Sequence, residues 1–145
     1  MSEDDTKALL KRTNYGVLST ISEDNTPYGV PISFVYTDEA IYLHRALEGH
    51  KLDNLVHNNS VCFTVIDPDA VELMPSAFST RYKSAVVFGT INIVADPEEK
   101  RKGLEAIVKK YSPDFYEAGQ KYISDSSKAT KVLKLEILKM TGKAK

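Results

Sequence analysis

The sequence predicts a mainly β fold, an antiparallel barrel with helices packed on its outside, and three observations carry that expectation. Six runs rich in β-branched and aromatic residues stand between clusters of turn residues. Most of these runs follow one another as hairpins, with none of the regular strand and helix alternation or glycine-rich fingerprint of a parallel nucleotide-binding sheet. Inside the longest run lies Gly89, where a bend or bulge of the kind that closes a barrel is expected.

Each element has its own signal. Ser2 with Asp5 resembles a capping box, and Ala8, Leu9 and Leu10 follow before Thr13 and Asn14 end a first helix. Residues Tyr15 to Ile21 read as a strand, Ser22 to Asn25 as a turn, and Tyr28 to Tyr36 as the returning strand. Pro31 within that run cannot donate to a ladder, so it belongs at an edge or a bulge and leaves backbone groups free for a ligand. After Thr37, Asp38 and Glu39 comes the strand Ala40 to His44, and after a helix the strand Val61 to Ile66. The connection from Asp67 to Thr80 is long enough to suggest a functional loop. Tyr82 to Val94 is the most strand-like run of all. Asp96, Pro97, Glu98 and Glu99 start a helix by cap, proline and acidic first turn, with Leu104, Ile107, Val108 and Tyr111 as its apolar stripe. Ser112 and Pro113 restart a second helix with Phe115, Ala118, Gly119 and Tyr122 on one face, and Lys131 to Met140 closes the chain as an alternating strand.

Composition narrows the function. A chain of 145 residues is expected to form one domain, and 19 basic against 20 acidic residues give no net field toward nucleic acid or anionic lipid. The single cysteine, Cys62, lies in an apolar run and reads as a small buried hydrophobe. The acidic start MSEDDTK has no apolar core and no run approaches the length of a membrane span, so a cytoplasmic protein is expected. His44, His50 and His57 would need a carboxylate and convergent geometry to bind a metal, and none is expected. With no nucleophile elbow or P-loop in the chain, the chemistry is expected to be carried by a bound cofactor that the protein holds.

The stretch from Tyr42 to Asn58 is where such a cofactor would sit. A strand ends at His44, the chain turns through Glu48 and Gly49, and a helix opens whose apolar residues Leu52, Leu55 and Val56 are spaced i, i+3, i+4. His50 and Lys51 stand in its first turn, where the macrodipole disfavours cations by roughly 0.3–1 kcal/mol each. A bound anion reverses that sign: free first-turn N–H groups, a glycine and a lysine are the parts of a phosphate site. The plainer reading of the same residues is a solvated lysine and a surface histidine after an ordinary turn.

The series NYGVLSTISEDNTPYGVPISFVY, IYLHRALEGHKLDNL, NNSVCFTV, AFSTRYKSAVVFGTINIV and MTGKAK resembles the FMN-binding split-barrel flavoproteins. It is most similar to their nitroimidazole-resistance branch, and more distantly to pyridoxamine 5′-phosphate oxidase. The resemblance implies a six-stranded antiparallel split barrel of Greek-key topology and a homodimer with FMN in clefts at the subunit interface. It also implies contacts. Gly49, His50 and Lys51 match the phosphate-binding segment. Val30, Pro31, Ile32 and Ser33 match a bulged strand whose backbone lies along the isoalloxazine ring. Leu43 and His44 match the strand end beside the flavin, and Ser84 a polar flavin contact. The C-terminal tryptophan of the oxidases has no counterpart, since the chain has no Trp, which favours the reductase branch.

The expectation is therefore an FMN-dependent oxidoreductase, an NAD(P)H-linked reductase of small electrophilic acceptors such as nitro compounds. His44 is the candidate proton donor or substrate-orienting group, because an unperturbed imidazole exchanges protons near neutral pH. Against it stand a strand-end histidine that only packs, a flavin-binding redox sensor or store without turnover, and an oxidase-like activity. A barrel that binds oligonucleotides fits the charge balance poorly.

Overall fold

The computed structural model describes residues 1–44, 50–126 and 130–145, and of residues 50–52 and 126 it describes the backbone alone. Helix α1 (Glu3–Arg12) begins with the capping box read from the sequence, Ser2 accepting from the Asp5 amide while the Asp5 carboxylate accepts from the Ser2 amide. Strands β1 (Tyr15–Ile21) and β2 (Pro27–Ser33) follow as a hairpin, then β3 (Val35–Thr37), β4 (Ala40–His44), helix α2 (His50–His57) and β5 (Ser60–Ile66). The long connection holds two 3-10 turns and a small hairpin, β6 (Glu72–Met74) with β7 (Ser79–Arg81). Strand β8 (Lys83–Ile93), helices α3 (Pro97–Tyr111) and α4 (Tyr116–Ser126), and strand β9 (Val132–Ala144) complete the described chain.

One sheet holds seven of these strands in the order β2-β1-β5-β8-β9-β4-β3, with each neighbouring pair antiparallel. The count is one above the expected six because the run from Tyr28 to Tyr36 is two strands, broken at Phe34. Those two strands lie at opposite edges of the sheet although a single residue joins them. The sheet must therefore curl until its edges meet at Phe34. The result is an antiparallel sheet curled into a half-barrel with flanking helices, consistent with a split barrel.

Pro31 lies on the edge strand, as its missing N–H requires. The expected bulge there is absent: β1 and β2 pair without interruption from Tyr15–Ser33 to Ile21–Pro27, and Pro31 stands opposite Val17. The irregularity falls between Phe88 and Gly89, where pairing passes from Phe88–Lys139 to Gly89–Ile137. Leu138 is the extra residue, so the bulge belongs to β9 and Gly89 is the close approach that faces it.

Alternation along the strands separates two apolar clusters. Leu18, Phe34, Ile41, Leu43, Phe63, Val87, Ile91 and Leu135 fill the inside of the curl, where Phe34 and Phe63 meet edge to face at 4.8 Å between ring centres. Val35, Ala40, Tyr42 and Val132 point the other way and bury Leu104, Ile107 and Ile123 of α3 and α4. Helices thus cover the outer face of β3, β4 and β9. The outer face of β1, β5 and β8 is left bare, with Tyr15, Val17, Ile21, Ile66 and Phe88 exposed.

A Cβ at Gly89 would overlap the Glu136 carbonyl oxygen and crowd Leu135. Gly89→Ala is accordingly expected to cost about 3 kcal/mol, near the upper end of what overpacking does, measured by urea unfolding. A loss below half a kcal/mol would mean that β9 simply moves aside.

Candidate functional site

Phe34 has no strand on either side to pair with, so its backbone groups need other partners. They come from the end of α3. The Phe34 amide donates to Tyr111 Oη at 2.9 Å, and the Phe34 carbonyl accepts from Lys110 Nζ at 2.9 Å and from the Tyr111 hydroxyl at 2.7 Å. Lys110 Nζ also donates to the Thr13 carbonyl at 2.6 Å, which ties the exit of α1 to the same point. Its ammonium lies 4.3 Å from the centre of the Phe34 ring. Burial pushes Lys110 down to about 8, while two carbonyls, the ring face and the C-terminal end of α3 all favour the cation. Burial likewise raises Tyr111, which keeps it a phenol able to donate.

The other end of α3 is fixed by charge. Glu99, whose amide is capped by Asp96, accepts from Lys134 Nζ at 2.6 Å on β9 and from the Tyr42 hydroxyl at 3.1 Å on β4. These partners hold the Glu99 carboxyl below its ordinary range. Helix α3 is therefore seated at both ends, and what it seats is the seam between the two edges of the sheet.

That seam is where the expected site residues can be placed. In β2, Ile32 faces the inside of the curl and Val30 packs against that cluster. By alternation Pro31 and Ser33 face outward. Val30 and Ile32 can thus reach an outer ligand only through their backbone, which as part of an edge strand presents groups that β1 does not pair. Leu43 is fully buried inside, so its side chain is not part of an outer site. His44, one residue on, points outward. Ser33, from the edge strand β2, and His44, from β4 next to the opposite edge, line one cleft of about 390 Å³ together with Tyr111, Phe115, Gly119 and Tyr122.

Ser84 is not brought to this cleft. It stands opposite Ile66 in β5, with β5 and β1 between its own strand and β2 in the sheet order. Gly49 lies outside the described residues. The backbone of His50 and Lys51 forms the first turn of α2, and their side chains are outside the description. Among the described residues, no three His, Cys, Asp or Glu side chains come together as a metal site would need. Lys110 was legible in the sequence only as a last-turn cation. Its role at the seam depends on a tertiary contact with Phe34, 76 positions away.

Comparison with known proteins decides the family. The model of the family described as pyridoxamine 5′-phosphate oxidase matches residues 2–144. The chain belongs to this family. Among solved structures, a protein of Bacteroides thetaiotaomicron assigned to 5-nitroimidazole antibiotic resistance is 28% identical, with a TM-score of 0.83 over 97% of this chain and 82% of that one. An FAD and haem binding protein of Mycobacterium smegmatis is 24% identical, with a TM-score of 0.79 over 99% of this chain and 71% of that one. An FAD-binding protein of Mesorhizobium loti is 20% identical, with a TM-score of 0.66 over 100% and 96%. At those identities the last two speak for the fold alone. No curated protein matches the sequence.

Two outcomes follow for the seam that this member of the pyridoxamine 5′-phosphate oxidase family has built. Tyr111→Phe strands the Phe34 amide and should lower stability by about 1–3 kcal/mol in chemical denaturation, the usual cost of a buried donor left unpaired. Lys110 gives a pH signature. Its folded value, about 8, lies below the ordinary 10.5, so the unfolded chain holds more protons between the two. The penalty for burying the cation is complete below about pH 8 and is relieved as pH rises toward 10.5, which makes its contribution to stability climb in that window. Lys110→Met should remove that climb. Parallel stability curves for variant and parent from pH 7 to 10 would contradict it.

Proposed function

We propose that the protein is an FMN-dependent oxidoreductase, an NAD(P)H-linked reductase of small electrophilic acceptors such as nitro compounds, acting as a cytoplasmic homodimer. The observation that carries this reading is the convergence of Ser33 and His44 on one cleft, beside an edge strand with unpaired backbone groups and one short segment before the first turn of α2. Family membership and the 28% identity to a nitroimidazole-resistance protein support it. So does the absence of Trp from the sequence.

The residues present fit a flavin phosphate. Backbone groups along the outer edge of Val30–Ser33 suit the hydrogen-bonding rim of a flat heterocycle, and the first-turn N–H groups of α2 suit a phosphate, with Lys51 adding charge. A bound flavin supplies the hydride and electron transfer chemistry. The chain's own part is to hold and orient. Ser33 hydrogen-bonds a polar edge, Tyr111 keeps the seam closed behind it, and His44 donates or accepts a proton at the mouth of the cleft.

The homodimer is proposed to form through the bare outer face of β1, β5 and β8. That face exposes Tyr15, Val17, Ile66 and Phe88, and it is continuous with the outward residues Pro31 and Ser33. Ser84 lies on it too, so a Ser84 contact to flavin fits a cleft completed by the second subunit better than one within a single subunit. Stable homodimer interfaces of this apolar kind usually bury more than about 2,000 Å².

Three measurements test the reading. Lys51→Ala should weaken FMN about tenfold to a hundredfold and riboflavin much less, as loss of one charge-assisted hydrogen bond predicts. Equal losses would remove the phosphate assignment. Val17→Lys with Phe88→Lys should turn a dimer into a monomer in light scattering, whereas an unaltered protein already monomeric would contradict the interface. Stopped-flow mixing with NADH, NADPH and a nitro compound should show flavin reduction and then reoxidation, with His44→Ala slowing the second step by roughly 10²-fold or more while FMN stays bound. If neither nucleotide reduces the flavin, a sensor or store replaces the reductase.

A further inference from the structure

The hairpin of β6 and β7 is an arm braced at its base and across its strands. Asp67 caps the turn that leads into it and pairs with Arg12, and the Tyr82 and Lys145 backbones exchange hydrogen bonds at its exit. Arg81 pairs with Glu72 across the arm, and Lys145 Nζ donates to Ser79 Oγ at 2.6 Å. What the arm holds out is apolar: Leu73 is 75% exposed and Phe78 97% exposed. Phe78 stands at φ 49°, a left-handed conformation that is costly for a bulky side chain and persists only where the surroundings impose it. The arm joins β5 to β8 at the end where Ile66 faces Ser84. At the opposite end of the same two strands lies a groove of about 500 Å³, with the buried Ile91 and the buried Leu133 at its floor and Leu55, Val56 and Ile93 beside them. Val56 is 82% exposed there.

Between arm and groove lies the outer face of β1, β5 and β8, and by itself that face is small. Three strands about 4.8 Å apart, and about 24 Å long over the seven residues of β1 and of β5, make a footprint of about 350 Å². Doubled for the relief of its side chains, the face reaches about 700 Å², short of the roughly 1,000 Å² per subunit that a stable apolar homodimer buries. We propose that a second copy of this chain supplies the rest: the arm of each copy reaches past the end of the partner's β5 and seats Phe78 and Leu73 in the partner's groove. Two identical faces packed about a two-fold axis that crosses the strands bring the Ile66 end of one β5 over the Ser60 end of the other. Arm then meets groove twice, as an isologous contact requires. An axis along the strands would instead set arm beside arm and leave both grooves open. This clasp rests on the homodimer proposed above and fixes which ends of it meet. Phe78 and Val56 are its anchors, apolar side chains that one copy leaves in water and the other copy buries.

The test uses the full chain, with Cys62→Ser in every cross-linking variant to remove the single native thiol. Phe78→Cys protein and Val56→Cys protein, each oxidised alone, should stay uncross-linked. Their equimolar mixture, left to exchange subunits and then oxidised, should give a disulfide-linked dimer on a non-reducing gel. In sedimentation equilibrium, Phe78→Asp and Val56→Asp should each weaken the dimer about tenfold to a hundredfold, the loss expected of an anchor side chain. Both side chains are exposed in one copy, so circular dichroism should be unaltered by either change. A parent dimer that ignores both charges, a mixture that forms no link, or a link formed by Phe78→Cys protein alone would overturn the clasp and leave the homodimer standing. A parent protein that is monomeric at micromolar concentration would overturn the homodimer and the clasp with it.

Discussion

One residue has to pass from one edge of a seven-stranded sheet to the other, and the structure depends on how that passage is made. Phe34 puts its ring into the core against Phe63 and leaves its amide and carbonyl without a ladder. In an open sheet water would satisfy those groups. Here they lie beside a buried ring, where an unpaired donor or acceptor costs about 1–3 kcal/mol. Tyr111 and Lys110 meet both groups from the end of α3, and the Lys110 ammonium lies over the ring. Curling of the sheet, docking of α3 and closure of the seam are thus one event.

Division of the outer surface follows from the same event. With α3 tied to Phe34 at one end and to Lys134 and Tyr42 at the other, helices cover β3, β4 and β9 and stop there. The opposite half stays bare and apolar. Ser33 and His44 stand where the two halves meet, the place at which a ligand can touch strand edge and helix together. A half-buried cation is an expensive way to hold a seam, and burial does pull Lys110 down to about 8. Its geometry explains why it is tolerated: two carbonyl oxygens and an aromatic face replace part of the lost water.

Much of this was legible in the sequence. Strand β1, strand β4, the capping box at Ser2 and the proline start of α3 rest on local signals and were read directly. Gly89 correctly announced an irregularity, but the extra residue is Leu138 across the ladder, which a reading of one strand at a time does not reach. Pro31 was assigned to an edge or a bulge and lies on an edge, which already excuses the missing N–H; the bulge that the resemblance implied there is not seen in the pairing of β1 with β2. The break at Phe34 was invisible, since VPISFVY looks like continuous strand and only the opposite-edge topology forces it apart. In the site, side-chain alternation separates what a list of neighbours could not. Pro31, Ser33 and His44 face outward, while Val30, Ile32 and Leu43 belong to the core side. The cleft walls Phe115, Gly119 and Tyr122 appeared in the sequence as one helix face, with nothing to say what that face would meet.

We propose that a phosphorylated flavin lies along the end of β2, past the end of β4 and onto the start of α2. Amide hydrogen exchange measured with and without FMN tests it most directly. FMN should slow exchange at residues 29–34 and at residues 43–53, and leave the β6 and β7 hairpin unchanged. Protection confined instead to the groove lined by Leu55, His57 and Asn92, or no protection at all at saturating FMN, would contradict it.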